Sequence, residues 1–268
     1  MEANLRLRLA TALVGIPLLI ALVGWGHPWL FASVIVIVTF GALREFFLMA
    51  FPGRGWEQIL GMIFGLGVSL WLLLPPIDLA ASLMSVWLVL LFSIYLFRRG
   101  RWEERFSRLS STLLGAFYIG YLFPHWVTLF RLPDGRDWVF FVLLVVMAGD
   151  SAAYIVGRRY GRKKLAPELS PGKTLEGALG YVAGSLIAGG LGGVYLLSQI
   201  AVVEAIVIAG VLGILGQLGD LFESFIKRVF AVKEAGTWLP GHGGFLDRVD
   251  SLIFPVVFTS AYVKVFHL

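Results

Sequence analysis

The run WVFFVLLVVMAGDSAAYIVGRRYGRKK, residues 138–164, decides how this chain is read. It is apolar from Trp138 to Gly149, places Asp150 inside the apolar stretch, and closes on Arg158, Arg159, Arg162, Lys163 and Lys164. A water-soluble helix shows an apolar stripe and a polar face. This one is apolar on every side for about 20 residues, the length that crosses roughly 30 Å of hydrocarbon. The bilayer is therefore its solvent. Comparable windows begin near Leu9, Trp29, Ile59, Leu79, Ser111, Leu175, Ala201 and Leu252. They are too long and too uniform for barrel strands, and backbone groups in lipid must be satisfied within the segment. The sequence thus predicts an all-α, polytopic membrane protein with about nine transmembrane helices.

Composition agrees. Of 268 residues 58% are hydrophobic and 15% charged, against roughly a quarter charged in soluble chains. We expect one integral-membrane domain, 1–268, with the helices of 1–100 as a semi-independent front unit and 138–268 carrying the reactive helices and cytoplasmic loops. The chain has no cysteine, which excludes disulfides, iron–sulfur clusters and thiolate zinc sites. A pI near 9.6 is no nucleic-acid signal here, because the basic residues sit where a cytoplasmic membrane face carries them and where anionic lipid head groups gather. Of the 22 Lys and Arg, only Arg131, Arg136 and Lys264 fall in the alternate set of loops. The positive-inside rule then puts the N-terminus inside and the C-terminus outside, as in a bacterial cytoplasmic (inner) membrane protein. Arg6 and Arg8 precede the first segment as in a signal peptide, but no small-x-small cleavage site follows, and the segment is read as a retained helix.

Two local patterns concern packing. Gly61 and Gly65, and Gly180 and Gly184, are spaced one helical turn apart, which lets helices approach closely. The stretch RRGRWEERFSRL, from Arg98, puts Trp102, Phe106 and Leu109 on one face among arginines, the pattern of a short interfacial helix on the inner leaflet.

The polar residues gather near the inner ends of the later segments. Asp150 and Asp220 are carboxylates within apolar helices, where an ionised group costs several kcal/mol unless it meets protein, water or a cation. Ser224 and Lys227 follow Asp220 at i+4 and i+7, flanked by Glu223 and Arg228. In LPGHGGFLDRVDS, residues 239–251, Asp247 and Asp250 stand at i, i+3 at the start of the last helix, and Gly243 and Gly244 let the backbone turn or approach a ligand. Carboxylates converging at one membrane face favour a hard, oxygen-seeking ion such as Mg²⁺, with room for a second cation, and the metal-ligand candidates are Asp220, Asp247 and Asp250. Lys227, Arg228, Lys233 and Arg248 stand beside them. Carboxylates that hold a metal next to cations that hold phosphate are the ingredients of phosphoryl or nucleotidyl transfer.

LSPGKTLEG, from Leu169, is not a Walker A loop, because Pro167 stands where its first glycine belongs. Ser170, Lys173 and Thr174 still open a helix at the inner face, either as a cap or as a phosphate-binding terminus. The HGG of 242–244 suggests an esterase oxyanion loop, but no G-x-S-x-G occurs; H-E-x-x-H is absent too, which excludes a zinc peptidase.

The run from Ser224 through Lys227, Arg228, Lys233, Glu234 and Gly236, then Leu239-Pro240-Gly241-His242-Gly243-Gly244-Phe245-Leu246-Asp247-Arg248-Val249-Asp250, resembles the signature of the phosphatidate cytidylyltransferases, or CDP-diacylglycerol synthases. DSAAYIVGRRYG and SPGKTLEG extend the likeness. Glu234 departs from it, standing where the family usually has Asp. The resemblance implies transfer of a cytidylyl group from CTP to phosphatidate, giving CDP-diacylglycerol and pyrophosphate with Mg²⁺ required. It implies reactive roles for Asp220, Lys227, Arg228, Asp247, Arg248 and Asp250. Ser170, Lys173, Thr174, Ser224, Lys233, His242, Gly243, Gly244 and Asp150 are implied at the substrates. The partners are CTP, phosphatidate and membrane lipids, with no nucleic acid, and a homo-oligomer is compatible with the chain. Two alternatives use the same polar set: a CTP-dependent transferase acting on another phosphorylated lipid, and an ion-coupled transporter, which has less need of so many cations on one face.

Overall fold

The computed structural model describes the backbone of residues 2–73, 78–236 and 244–267, and the side chains of 13–73, 82–236 and 244–267. The elements follow one another as α1 (Glu2–Trp25), α2 (Pro28–Ala50), α3 (Gly55–Leu73), α4 (Asp78–Phe97), α5 (Trp102–Gly115), a π-helical turn (Ala116–Tyr121), α6 (His125–Phe130), α7 (Gly135–Tyr160), strands β1 (Lys164–Ala166) and β2 (Ser170–Thr174), α8 (Leu175–Tyr195), α9 (Val202–Val229) and α10 (Leu246–Phe266). Among the described residues seven helical stretches are long and apolar enough to cross a membrane, and Leu13–Trp25 and Ser82–Phe97 are shorter apolar ones. Each expected segment therefore has a helix, and the chain is a polytopic α-helical membrane protein. Many large side chains point outward, Leu179 and Ile155 among them. In lipid such a surface needs no polar cover.

The helix expected from Arg98 is the start of α5. Trp102 begins α5, which continues through the π-helical turn and α6 as one 29-residue apolar stretch, Trp102–Phe130. The π-helical turn lets the backbone of Gly120 lie against the carbonyl of Gly65 in α3. Ser69 Oγ donates to the Gly120 carbonyl at 2.7 Å, satisfying an acceptor that the widened turn exposes. The spaced glycines act as expected: a Cβ on Gly61 or Gly65 would press into Phe47 or Leu43, and one on Gly180 or Gly184 into Val156 or Ala152.

The main core joins α2 to α7, α9 and α10 through Phe46, Phe141, Val145, Leu212, Leu246 and Ile253, while α3, α4 and α5 share a second cluster around Phe64, Val68, Leu91 and Tyr95. Helix α2 thus belongs to the same body as the C-terminal helices. Between α7 and α8 the chain forms an antiparallel hairpin, β1 with β2, pairing Lys164 with Thr174 and Ala166 with Ser170. Thr174 then caps α8, accepting from the Gly177 amide at 3.1 Å, as its place before the apolar run predicts.

Candidate active site

Close backbone contact brings α9 onto α10. Gly219 lies against the Asp250 carbonyl, and a Cβ at Gly216 would stand 3.4 Å from the Ser251 carbonyl and 2.5 Å from the Tyr181 hydroxyl. Any side chain at these positions would push the two helices apart. Without one, Asp220 and Asp250 come near enough for their charges to interact, along with Glu223. Asp250 is 8% exposed, and its Oδ1 accepts from the Ser251 amide at 2.7 Å.

A cavity of about 430 Å³ opens between α7, α8, α9 and the hairpin. Asp150, Tyr154 and Arg158 line it from α7, Lys173 and Thr174 from β2, Tyr181 from α8, and Gln217 and Asp220 from α9. Lys173 Nζ meets Asp220 Oδ2 at 2.6 Å. The Tyr181 hydroxyl faces Asp150 but forms no hydrogen bond of good geometry. Three elements far apart in sequence therefore place two carboxylates and a lysine in one hollow.

Two turns beyond Asp220 on α9, Lys227 forms the second charged centre. Its ammonium reaches Asp247 Oδ1 at 2.7 Å and pairs with Glu223, whose side chain is fully buried. Neither Glu223 oxygen accepts a well-formed hydrogen bond, so the pair is held by charge. Asp247 Oδ2 accepts from the amides of Ala235 and Gly244, each at 3.1 Å. Asp247 thereby ties Ala235, six residues past the end of α9, to Gly244, two residues before α10. Ion pairs and backbone contacts run without a break from the hairpin through α9 to α10.

Among the remaining expected residues, Ser224 is buried in α9. Ser170 opens β2 opposite Ala166 and does not line the cavity. Arg228 is exposed and its Nε donates to the Leu169 carbonyl at 3.1 Å, tethering the hairpin to α9. Lys233 and Arg248 are exposed on either side of the break between α9 and α10. His242 and Gly243 lie outside the described residues. Gly244, expected to let a ligand approach, receives a protein carboxylate: Glu45 of α2, whose Oε2 would stand 2.5 Å from a Cβ there. Nothing in the sequence around Glu45 marks it, because its role depends on a contact with a residue 201 positions away.

No group of three or more His, Asp or Glu stands at metal-holding spacing among the described residues. The three-carboxylate set of Asp220, Asp247 and Asp250 is not assembled, since both oxygens of Asp247 are engaged by Lys227 and two amides. Asp220 and Asp250 are the neighbouring carboxylates that would hold a divalent ion of the magnesium kind, which commonly takes one or two carboxylates and fills its shell with phosphate and water, once Asp220 releases Lys173. Asp247 would have to release Lys227 to join them.

A sequence model of the Cytidylyltransferase family matches residues 6–266. The chain is 32% identical to the phosphatidate cytidylyltransferase of Synechocystis, with 94% of each chain covered. It is 30% identical to that of Bacillus subtilis, over 87% of this chain and 88% of the relative. With that of Staphylococcus saprophyticus it shares 37% identity over 57% of this chain and 58% of the relative.

Proposed function

The chain belongs to the cytidylyltransferase family, and from that premise we propose that it transfers the cytidylyl group of CTP to phosphatidate, with Mg²⁺, at the cytoplasmic face of a bacterial inner membrane. The observation that carries the reading is the placement of Lys173 on Asp220 and of Lys227 on Asp247 at one end of the bundle. Each lysine is stored against a carboxylate that phosphate oxygens can replace.

The reaction joins two anions. A phosphatidate oxygen bonds to the α-phosphorus of CTP, the bond from that phosphorus to the bridging oxygen breaks, and pyrophosphate leaves with the electron pair. The nucleophile is already ionised, so no strong base is required. What the site must supply is neutralisation and alignment. Lys173 and Lys227 turn toward the phosphates, Arg248 and Lys233 add positive charge from the exposed side, and the Thr174 hydroxyl and the α8 terminus offer hydrogen bonds. Asp220 and Asp250 would hold Mg²⁺, which when bound supplies charge neutralisation at the phosphates. Asp150 keeps Lys173 oriented from across the cavity. The lipid reaches this boundary laterally, with its acyl chains remaining among the helices.

The test is direct. Purified protein in detergent, given radiolabelled CTP, phosphatidate and Mg²⁺, should form a labelled lipid and release pyrophosphate. No product across lipid acceptors and divalent ions would remove the assignment, and product with a different phosphorylated lipid would redirect it. Asp220→Asn and Asp250→Asn should each lower the rate by about a hundredfold or more, since the lost charge stabilisation is worth several kcal/mol, while the melting temperature holds.

A further inference from the structure

Helix α10 carries Asp247 and Asp250 in its first turns, yet it begins without a cap of its own. The residue before it, Phe245, offers no side-chain acceptor to the first amides, which an isolated helix would leave without partners. Glu45 supplies the acceptor from α2. Its Oε2 takes the Leu246 amide at 2.9 Å, and a carboxylate there also meets the positive end of the helix dipole. Glu45 is 2% exposed. Its other oxygen, Oε1, is buried without a hydrogen-bond partner and would stand 2.5 Å from a Cβ on Gly236 and 2.9 Å from one on Gly244. One turn earlier on α2, Gly41 leaves room for the Phe245 ring, which would stand 2.7 Å from a Cβ there. Gly41 and Glu45 thus form a seat for the start of α10, and two glycines of the motif, Gly236 and Gly244, are small because the Glu45 carboxyl lies against them.

We propose that Glu45 is a positioning residue for cytidylyl transfer, a helix cap supplied from α2 of the same chain that fixes where α10 begins and so where Asp247 and Asp250 stand relative to Lys227 and Asp220. This rests on the function proposed above. Glu45 touches neither Asp220 nor Lys173. It acts through the Leu246 amide, and from there Asp247 lies one residue on and Asp250 one helical turn further.

The experiment is a series at this position, Glu45→Gln, Glu45→Asp and Glu45→Leu, in the full chain purified in detergent beside wild type. Turnover with CTP and phosphatidate gives kcat and KM. Hydrogen–deuterium exchange at 244–250, without substrate, reads the start of α10 directly. Glu45→Leu should lower kcat about ten- to a hundredfold, the range for losing a hydrogen bond to a charged group, with KM for CTP little changed and exchange raised at 244–250 alone. Glu45→Gln keeps the size and an acceptor oxygen and should restore most of the rate; Glu45→Asp, one methylene shorter, should fall between. Gly244→Ala should impair turnover in the wild-type background and add little in Glu45→Ala, because the clash has been removed. A wild-type kcat in Glu45→Leu overturns the proposal. So does exchange that rises across all helices with a collapsed melting temperature, which would reduce Glu45 to a folding role. If wild type itself makes no lipid product, the positioning role falls with the reaction, and the exchange series tells whether the cap exists without it.

Discussion

Lys227 serves two carboxylates at once. Glu223 is fully buried and Asp247 is 14% exposed. Replacing the lysine by Met would leave two carboxylates in low dielectric without a counter-ion, a loss on the order of 3–5 kcal/mol. We expect Lys227→Met to melt at a clearly lower temperature in detergent, and a second change, Glu223→Gln, to recover part of the loss. An unchanged melting curve would mean that water reaches these carboxylates. Thr174 offers a smaller effect. Its hydroxyl accepts from the Gly177 amide, and Thr174→Val should cost about 1 kcal/mol of stability, measured in the same way.

At the level of elements, the crossing of α9 over α10 sets the distance between the carboxylates. A Cβ at Gly219 would collide with the Asp250 carbonyl, which is backbone and cannot swing aside. Gly219→Ala should therefore lower both turnover and stability, the latter by about 1–3 kcal/mol as an overpacked contact. Gly190 is the control. A Cβ there meets only Ile206, at 3.7 Å, so Gly190→Ala should be neutral or slightly stabilising, because Gly in a helix interior is worth roughly 0.5–1 kcal/mol less than Ala. Equal losses in the two variants would show that helix propensity, and not the crossing, governs the result.

For the whole molecule, the charge asymmetry of the loops predicts an orientation that labelling can read. The chain has no cysteine, so a single introduced one is the only target. Arg162, in the hairpin region, and Ser198, between α8 and α9, are both exposed and lie at opposite ends of α8. In oriented membrane vesicles an impermeant maleimide should reach Arg162→Cys from the cytoplasmic side only and Ser198→Cys from the opposite side only. The reverse pattern would invert the topology and move the site away from cytoplasmic CTP.

Much of this architecture was legible in one dimension. A bilayer demands runs of apolar residues about 20 long, and such runs are visible without any contact being known; so are loop charges, the Thr174 cap and the glycine pairs at Gly61 and Gly180, which depend on near neighbours or on spacing. The carboxylates and lysines were identifiable too, because charge inside an apolar run is conspicuous. Which charge meets which was not. Spacing along α10 made Asp247 and Asp250 equivalent, whereas folding gave Asp247 to Lys227 and two amides and left Asp250 beside Asp220. The part played by Glu45 was hidden most completely. An acidic residue in α2 carries no local sign that the amide it caps arrives from the far end of the chain, and only the packing of α2 against α10 brings the two together.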